Sequence, residues 1–192
     1  MKQIRDLIAR WQVSRLRKLM VPHPFSFPAD LMAPKHVLVC LPGKLRELTL
    51  VKQFLPTIST LFKTADITLL AIPGVKVADM YPRKGYHILT PSPDQLTWSG
   101  LPKKSYLATL RDYKYDMLID LNLEHTLFTQ AILLSFPAAV RLGRGNHLGN
   151  PFYNFEIKTK YLRDEKNIYR SLLETVGTIV NRPITATAHT GQ

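Results

Sequence analysis

Tyr115-Asp116-Met117-Leu118-Ile119-Asp120-Leu121, followed directly by Asn122-Leu123-Glu124-His125, is the stretch that decides how this chain folds. Its central apolar run has the length and composition of a strand buried on both faces. Past its carboxyl end it delivers Asp120, Asn122, Glu124 and His125 in quick succession. In open α/β sheets, ligands are bound just outside the carboxyl ends of the strands. The functional reading is a carboxylate beside an imidazole, a pairing suited to general acid–base work. In the plainer reading, Glu124 and His125 begin a helix and the polar strand end is ordinary. No Ser-His-Asp order, His-x-x-His metal spacing or paired-carboxylate arrangement decides between them.

Working outward, apolar runs alternate with helical periodicity. His36 to Leu41 and Asp66 to Ile72 read as strands, each closed by a turn signal, Pro42-Gly43-Lys44 and Pro73-Gly74. Between them a helix runs from about Arg46 to Lys63 through Leu48, Val51, Phe54, Leu55, Ile58 and Leu61, with Pro56 as its candidate kink. His87 to Thr90 reads as a short third strand and Tyr106 to Tyr113 as a short helix. His125 to Phe136 follows as an apolar helix, Ala138 to Leu142 as a fifth strand and Leu162 to Val176 as an amphipathic helix ending near Gly177. The tail from Thr178 through Pro183 carries no periodicity. Strands alternating with helices predict an α/β fold, a Rossmann-like three-layer sandwich around a mostly parallel sheet, over residues 35–178.

Composition agrees with one core. The chain has 192 residues, 45% of them apolar, and 26 Lys and Arg against 14 Asp and Glu, for a net charge of +12. Such a surface attracts phosphate, whether on nucleic acid, anionic lipid or a nucleotide. The single cysteine, Cys40, excludes an internal disulfide and a cysteine metal set, and its place within Val37 to Leu41 marks a buried thiol. No apolar run reaches the length needed to span a bilayer, and no signal peptide opens the chain. Residues 1–20 instead form a basic amphipathic helix. Ile4, Leu7, Ile8 and Trp11 share one face, and Lys2, Arg5, Arg10, Arg15, Arg17 and Lys18 stand against the lone acid Asp6. That helix either lies on an anionic membrane with Trp11 at the interface or packs on the domain or a partner with its cations solvated. Pro22, Pro24, Pro28 and Pro34 make residues 21–34 a linker and the domain boundary.

Two loops carry candidate binding residues. Leu41-Pro42-Gly43-Lys44-Leu45-Arg46-Glu47 has one glycine and two cations, so it is neither a dinucleotide fingerprint nor a P-loop. Lys44 and Arg46 can hold an anion at the helix start, and Glu47 can serve as a carboxylate base. Alternatively, Glu47 complements the helix dipole and the cations are solvated. Arg141-Leu142-Gly143-Arg144-Gly145-Asn146-His147-Leu148-Gly149-Asn150-Pro151 carries three glycines, while Arg141, Arg144 and His147 suit an anionic ligand. Its alternative is a flexible surface loop.

Taken in order, Val37-Leu38-Val39, Asp66-Ile67-Thr68-Leu69-Leu70, Tyr115 to Leu121, Arg141-Leu142-Gly143, Pro151-Phe152-Tyr153-Asn154 and Leu172-Leu173-Glu174-Thr175-Val176-Gly177 resemble a known arrangement. The chain is similar, over residues 35–178, to the N-terminal half of the heptosyltransferases, the family 9 glycosyltransferases of lipopolysaccharide assembly. The resemblance implies a GT-B architecture, with acceptor bound on the first Rossmann-like domain and nucleotide-sugar donor mainly on the second. It implies inversion at the sugar with no metal and no cofactor, on lipid-borne acceptors at the cytoplasmic face of the membrane. On this reading Glu47 and Asp120 are the catalytic candidates, and Lys44, Arg46, Asn122, Arg141, Arg144 and His147 the ligand-binding ones.

The chain also departs from the family. The Gly-Asp pair that usually follows the first strand is replaced by Leu45-Arg46-Glu47, and the Asp-x-Gln-Gly after the fourth strand by Asp120-Leu121-Asn122-Leu123. No His stands near Arg163-Asp164-Glu165, and the sequence stops where a donor domain is expected. The leading expectation is therefore an acceptor domain that binds an anionic glycolipid or phosphosugar in cell-envelope glycan assembly, without complete catalysis alone. It is expected to be cytoplasmic and peripheral on the inner membrane face, with contact through residues 1–20. A second expectation is half of a split glycosyltransferase whose donor domain comes from a protein partner. A basic nucleic-acid-binding or scaffold protein ranks last, motivated by the charge and by Phe152-Tyr153 and Tyr161-Leu162-Arg163, but supported by no recognition motif.

Overall fold

β1 (His36–Cys40) and β4 (Met117–Asp120) lie side by side at the centre of a six-stranded sheet. The computed structural model describes residues 2–181 apart from 22, 25, 78, 83 and 146. Outward from β1 come β2 (Asp66–Leu70) and β3 (His87–Leu89), and outward from β4 come β5 (Val140–Arg144) and β6 (Phe155–Ile157). The order is β3-β2-β1-β4-β5-β6, and every pairing is parallel. Val37, Leu38, Val39 and Cys40 align with Met117, Leu118, Ile119 and Asp120. All of these are buried, as expected of strands covered on both faces. The start of this pairing is fixed by Asp116, whose Oδ2 accepts the amides of Lys35 (2.7 Å) and His36 (3.0 Å).

Alternation along β1 and β4 divides the core. Val37, Val39, Met117 and Ile119 face α3 (Leu45–Leu61) and α6 (Glu165–Val180), whereas Leu38, Cys40 and Leu118 face α1 (Lys2–Leu19), α4 (Lys104–Asp112) and α5 (Leu127–Leu134). Cys40 is buried, as its apolar surroundings require. Helix α3 runs continuously through Pro56, which is exposed, so the expected kink does not end it. Helix α1 packs on α5 through Ala9 and Val13, with Leu16 and Met20 against the same cluster. The stretch after it contains the short helix α2 (Ala29–Met32), whose Leu31 is buried in the α3–α6 core, and Phe27 stacks on Phe155 of β6 at 6.0 Å.

Several boundaries differ from expectation for identifiable reasons. Helix α5 begins at Leu127 rather than His125 because the Thr126 hydroxyl caps it, accepting the Thr129 amide. The last begins at Glu165 rather than Leu162 because Asp164 caps it, accepting the Asn167 amide. It also continues past Gly177 to Val180, so Thr178 is helical rather than the start of the tail. A Cβ at Gly177 would meet Leu61 Cδ2 at 3.1 Å, so the glycine permits close packing on α3 instead of ending the helix. Strand β5 lies two residues later than expected, and β6 was not expected. The remainder of the tail, with Pro183, lies outside the described residues, as does Pro22.

Candidate functional site

The sheet order reverses between β1 and β4, which leaves a crevice at their carboxyl ends where neighbouring connections run to opposite faces. The candidate loop after β1 and the opening cluster after β4 meet there. Lys44, the residue preceding α3, forms an ion pair with Glu124 across this crevice. Glu47, in the first turn of α3, is almost fully buried, with its carboxylate 4.0 Å from Lys44 Nζ. Among the described residues that contact is its only ion pair and it accepts no hydrogen bond, so its oxygens keep unused acceptor capacity. Burial raises the Glu47 carboxyl above the ordinary range, opposed by Lys44 and reinforced by Glu124 and Glu165. Lys44 is held more strongly protonated than usual, first by its hydrogen bond to Glu124.

A second ion pair flanks the first. Arg46 Nε lies 2.9 Å from Glu165 Oε2, linking the first turns of α3 and α6. These residues, with Leu45, Thr49, Leu50, Asp164 and Lys166, line an open groove of about 560 Å³. On the β5 side, His147 stacks on His125 with ring centroids 4.2 Å apart and planes 3° from parallel. Burial, with the nearby His125 and Arg144 charges, pushes the His147 imidazole down to about 4, against the pull of the Glu124 backbone. Arg144 reaches the Tyr161 carbonyl at 3.5 Å. Lys44, Glu47 and His147 are thus grouped around the loop carrying Glu124 and His125, with Arg144 beside His147 and Arg46 turned to Glu165.

Three expected site residues do not join them. Asp120 leaves β4 on the opposite side of the sheet from α3, where Tyr153 Oη donates to its Oδ2 at 2.7 Å and Asn122 donates side-chain and backbone N–H to its Oδ1 at 2.7 and 3.0 Å. It is buried, which raises its carboxyl against the pull of Asn122 and Tyr153. The assignment of Asp120 as catalytic and Asn122 as ligand-binding is corrected: their polar atoms are turned to each other, to Tyr153 and to Thr129. Arg141 is corrected as well. Its guanidinium is fully buried and donates to the carbonyls of Phe136, Pro137, Ala139, Pro151 and Phe152 at 2.9–3.3 Å, so it ties the α5–β5 turn to the loop before β6. Burial pushes it down to about 10.

Tyr153 and Glu165 join these networks without being expected from the sequence. Tyr153 reaches Asp120 because β5 carries Gly143 beneath its ring; a Cβ there would stand 2.2–2.6 Å from ring carbons. The glycine in Arg141-Leu142-Gly143 was the available signal, since an isolated strand glycine marks close approach. Glu165 was signalled only by its place beside a helix cap. Among the described residues, no group of His, Cys, Asp and Glu is placed to hold a metal ion.

A parallel six-stranded Rossmann-like sheet with its polar crevice at the switch point defines an α/β domain of the kind that forms one half of GT-B glycosyltransferases. The chain belongs to the family described as a family of unknown function (DUF6913), whose pattern matches residues 73–174. Among solved structures it is similar to the glycosyl transferase family 9 protein from Veillonella parvula DSM 2008, with a TM-score of 0.55 and 16% identity over 76% of this chain and 42% of that one. It is also similar to the E. coli heptosyltransferase WaaC with ADP, with a TM-score of 0.56 and 12% identity over 79% of this chain and 49% of that one. The chain therefore spans less than half the length of these structures, and at such identity the likeness is one of fold. No curated protein matches the sequence.

Proposed function

We propose that this chain is a glycosyltransferase-like acceptor domain that binds a phosphosugar, free or as the headgroup of an anionic glycolipid, in the crevice between β1 and β4. The observation that carries this reading is the Lys44–Glu124 pair spanning the switch point beside the buried, underused Glu47 carboxylate. Lys44 and Arg46 offer charge-assisted donors to a phosphate, while Glu47, Glu124 and Glu165 offer acceptors to sugar hydroxyls. Cations and carboxylates interleaved in this way suit a ligand bearing both kinds of group. Glu47 would take the hydroxyl proton: burial raises its basicity, and no hydrogen bond from the described residues occupies it. Sugar transfer would further require a donor-binding domain to stabilise the departing nucleotide. Its setting is cell-envelope glycan assembly.

Chemical-shift mapping with glucose 1-phosphate, and with glucose as control, tests the reading. The expected result is perturbation of backbone amides at 43–47 and 123–125 by the phosphosugar. The double variant Lys44→Ala/Arg46→Ala should weaken binding about tenfold or more through lost charge-assisted hydrogen bonds. Perturbations confined to other surfaces, or undiminished binding by the variant, would overturn it.

A further inference from the structure

The face by which α1 meets the domain is not its most apolar one. Ala9 and Val13 are buried against α5, whereas Ile4, Leu7 and Trp11 remain 57%, 69% and 61% exposed on the other side of the helix. A further large apolar residue, Trp98, is 60% exposed in the loop beside α1, where Ser99 Oγ donates to Gln12 Oε1 at 2.8 Å. An outward ridge of two aliphatic side chains and a tryptophan is thus left bare, with a second tryptophan on its flank. Helix α1 also carries Lys2, Arg5, Arg10, Arg15, Arg17 and Lys18, all exposed, against the single acid Asp6. No described carboxylate lies within ion-pair distance of any of these six cations. Arg15 instead lies 5.9 Å from the Trp11 ring centre, and Arg17 covers Phe152.

From this arrangement we infer that the outer face of α1, with Trp98, is a docking surface for an anionic lipid bilayer. Ile4 and Leu7 have the chemistry to enter the acyl boundary, tryptophans settle at the interface, and unpaired Arg and Lys meet anionic headgroups. Nucleic acid would use the cations but gains nothing from bare Ile4 and Leu7. Because Ala9 and Val13 already hold the helix on the domain, docking orders no new segment, which removes a common penalty of binding. No helix among the described residues is long and apolar enough to cross a membrane, so α1 is placed to lie on the surface. The surface is separate from the β1–β4 crevice and stands whether or not a phosphosugar binds there.

The test is flotation of the full chain with vesicles of phosphatidylcholine alone or mixed with phosphatidylglycerol. Deleting α1 is unsuitable because Ala9 and Val13 belong to the core. Leu7→Ser/Trp11→Ser changes only outward side chains and leaves Trp98 as a fluorescent reporter. The chain is expected to float with the phosphatidylglycerol vesicles, with a blue shift of tryptophan emission. The apolar double variant, and separately Arg10→Glu/Lys18→Glu, should weaken this at least about tenfold with unchanged thermal unfolding. Equal flotation with phosphatidylcholine alone, or undiminished flotation of both variants, would overturn the inference. Absence of flotation would also overturn it, including where the same substitutions abolish self-association or oligonucleotide binding.

Discussion

Asp120 leaves β4 on the α5 side of the sheet, while Glu47 stands at the head of α3 on the other; both are buried acids at the carboxyl ends of the strands. Asp120 receives three hydrogen bonds, from Tyr153 and from the side chain and backbone of Asn122. Among the described residues Glu47 has one cation at 4.0 Å and no hydrogen bond. Both carboxyls are raised first by burial, so the direction of the shift does not tell them apart. Saturation does. A buried acid whose lone pairs are taken is part of the packing, and one with lone pairs in reserve beside a crevice can meet a ligand.

The sharpest way to break this contrast is at Gly143. Gly143→Ala places a methyl group inside the Tyr153 ring position, and the forced displacement should destabilise the fold by about 3 kcal/mol in urea unfolding. Tyr153→Phe removes one donor from Asp120 without new bulk and should cost about 1–2 kcal/mol. A neutral result there would mean that Asp120 is not held as a structural acid. Glu47→Gln should leave stability near neutral pH unchanged or slightly raised yet abolish sugar transfer in a reaction reconstituted with a donor-binding domain; retained transfer would remove Glu47 as the base.

Acidity separates the two sides further. A carboxyl raised on folding binds more protons in the folded state, so Glu47 should make stability decline as pH climbs from about 4.5 through its raised value, and Glu47→Gln should flatten that limb. His147 works in the opposite sense. Its folded value of about 4 lies below the unfolded 6.5, so the unfolded chain takes up the proton first and stability falls as pH drops between these values. Partial exposure limits this to no more than about 2 kcal/mol, and His147→Gln should abolish it in pH-resolved thermal melts. The smallest stability effect is expected from Glu124→Gln, which frees Lys44 at the surface. It should leave the melting temperature unchanged while altering the affinity for glucose 1-phosphate.

The same contrast shows why the sequence could be read only so far. Continuous apolar runs made β1, β2 and β4 legible, and the spacing of Leu48, Val51, Leu55 and Ile58 made α3 legible, because burial on these elements follows directly from period. Three-residue β6 carries no period, and its pairing with β5 depends on Arg141 holding the intervening loop. Arg141 itself looked like an anion ligand because a cation near glycines usually faces solvent. That five carbonyls would converge on it is a tertiary fact. The loop from Lys44 to Glu47 could be singled out from local order alone, but Glu165 joins it across the chain. Helix α1 was expected from its composition. Which of its faces would be buried was not, since small Ala9 and Val13 allow close approach while contributing little to an apolar pattern.

Asp116 has a consequence for how the molecule assembles. Its carboxylate grips the start of β1 across separations of 80 and 81 residues, so the central pairing is the longer-range one for β1. The contacts of β1 with β2 close a much shorter loop, and loop closure is less unfavourable for shorter loops. The β1-to-β3 half is thus placed to gather first, with the β4-to-β6 half joining it as Asp116 finds the Lys35 and His36 amides. On that sequence of events the crevice does not exist until the two halves meet. Asp116→Ala is expected to slow refolding in stopped-flow experiments, because it removes the contact that joins the two halves.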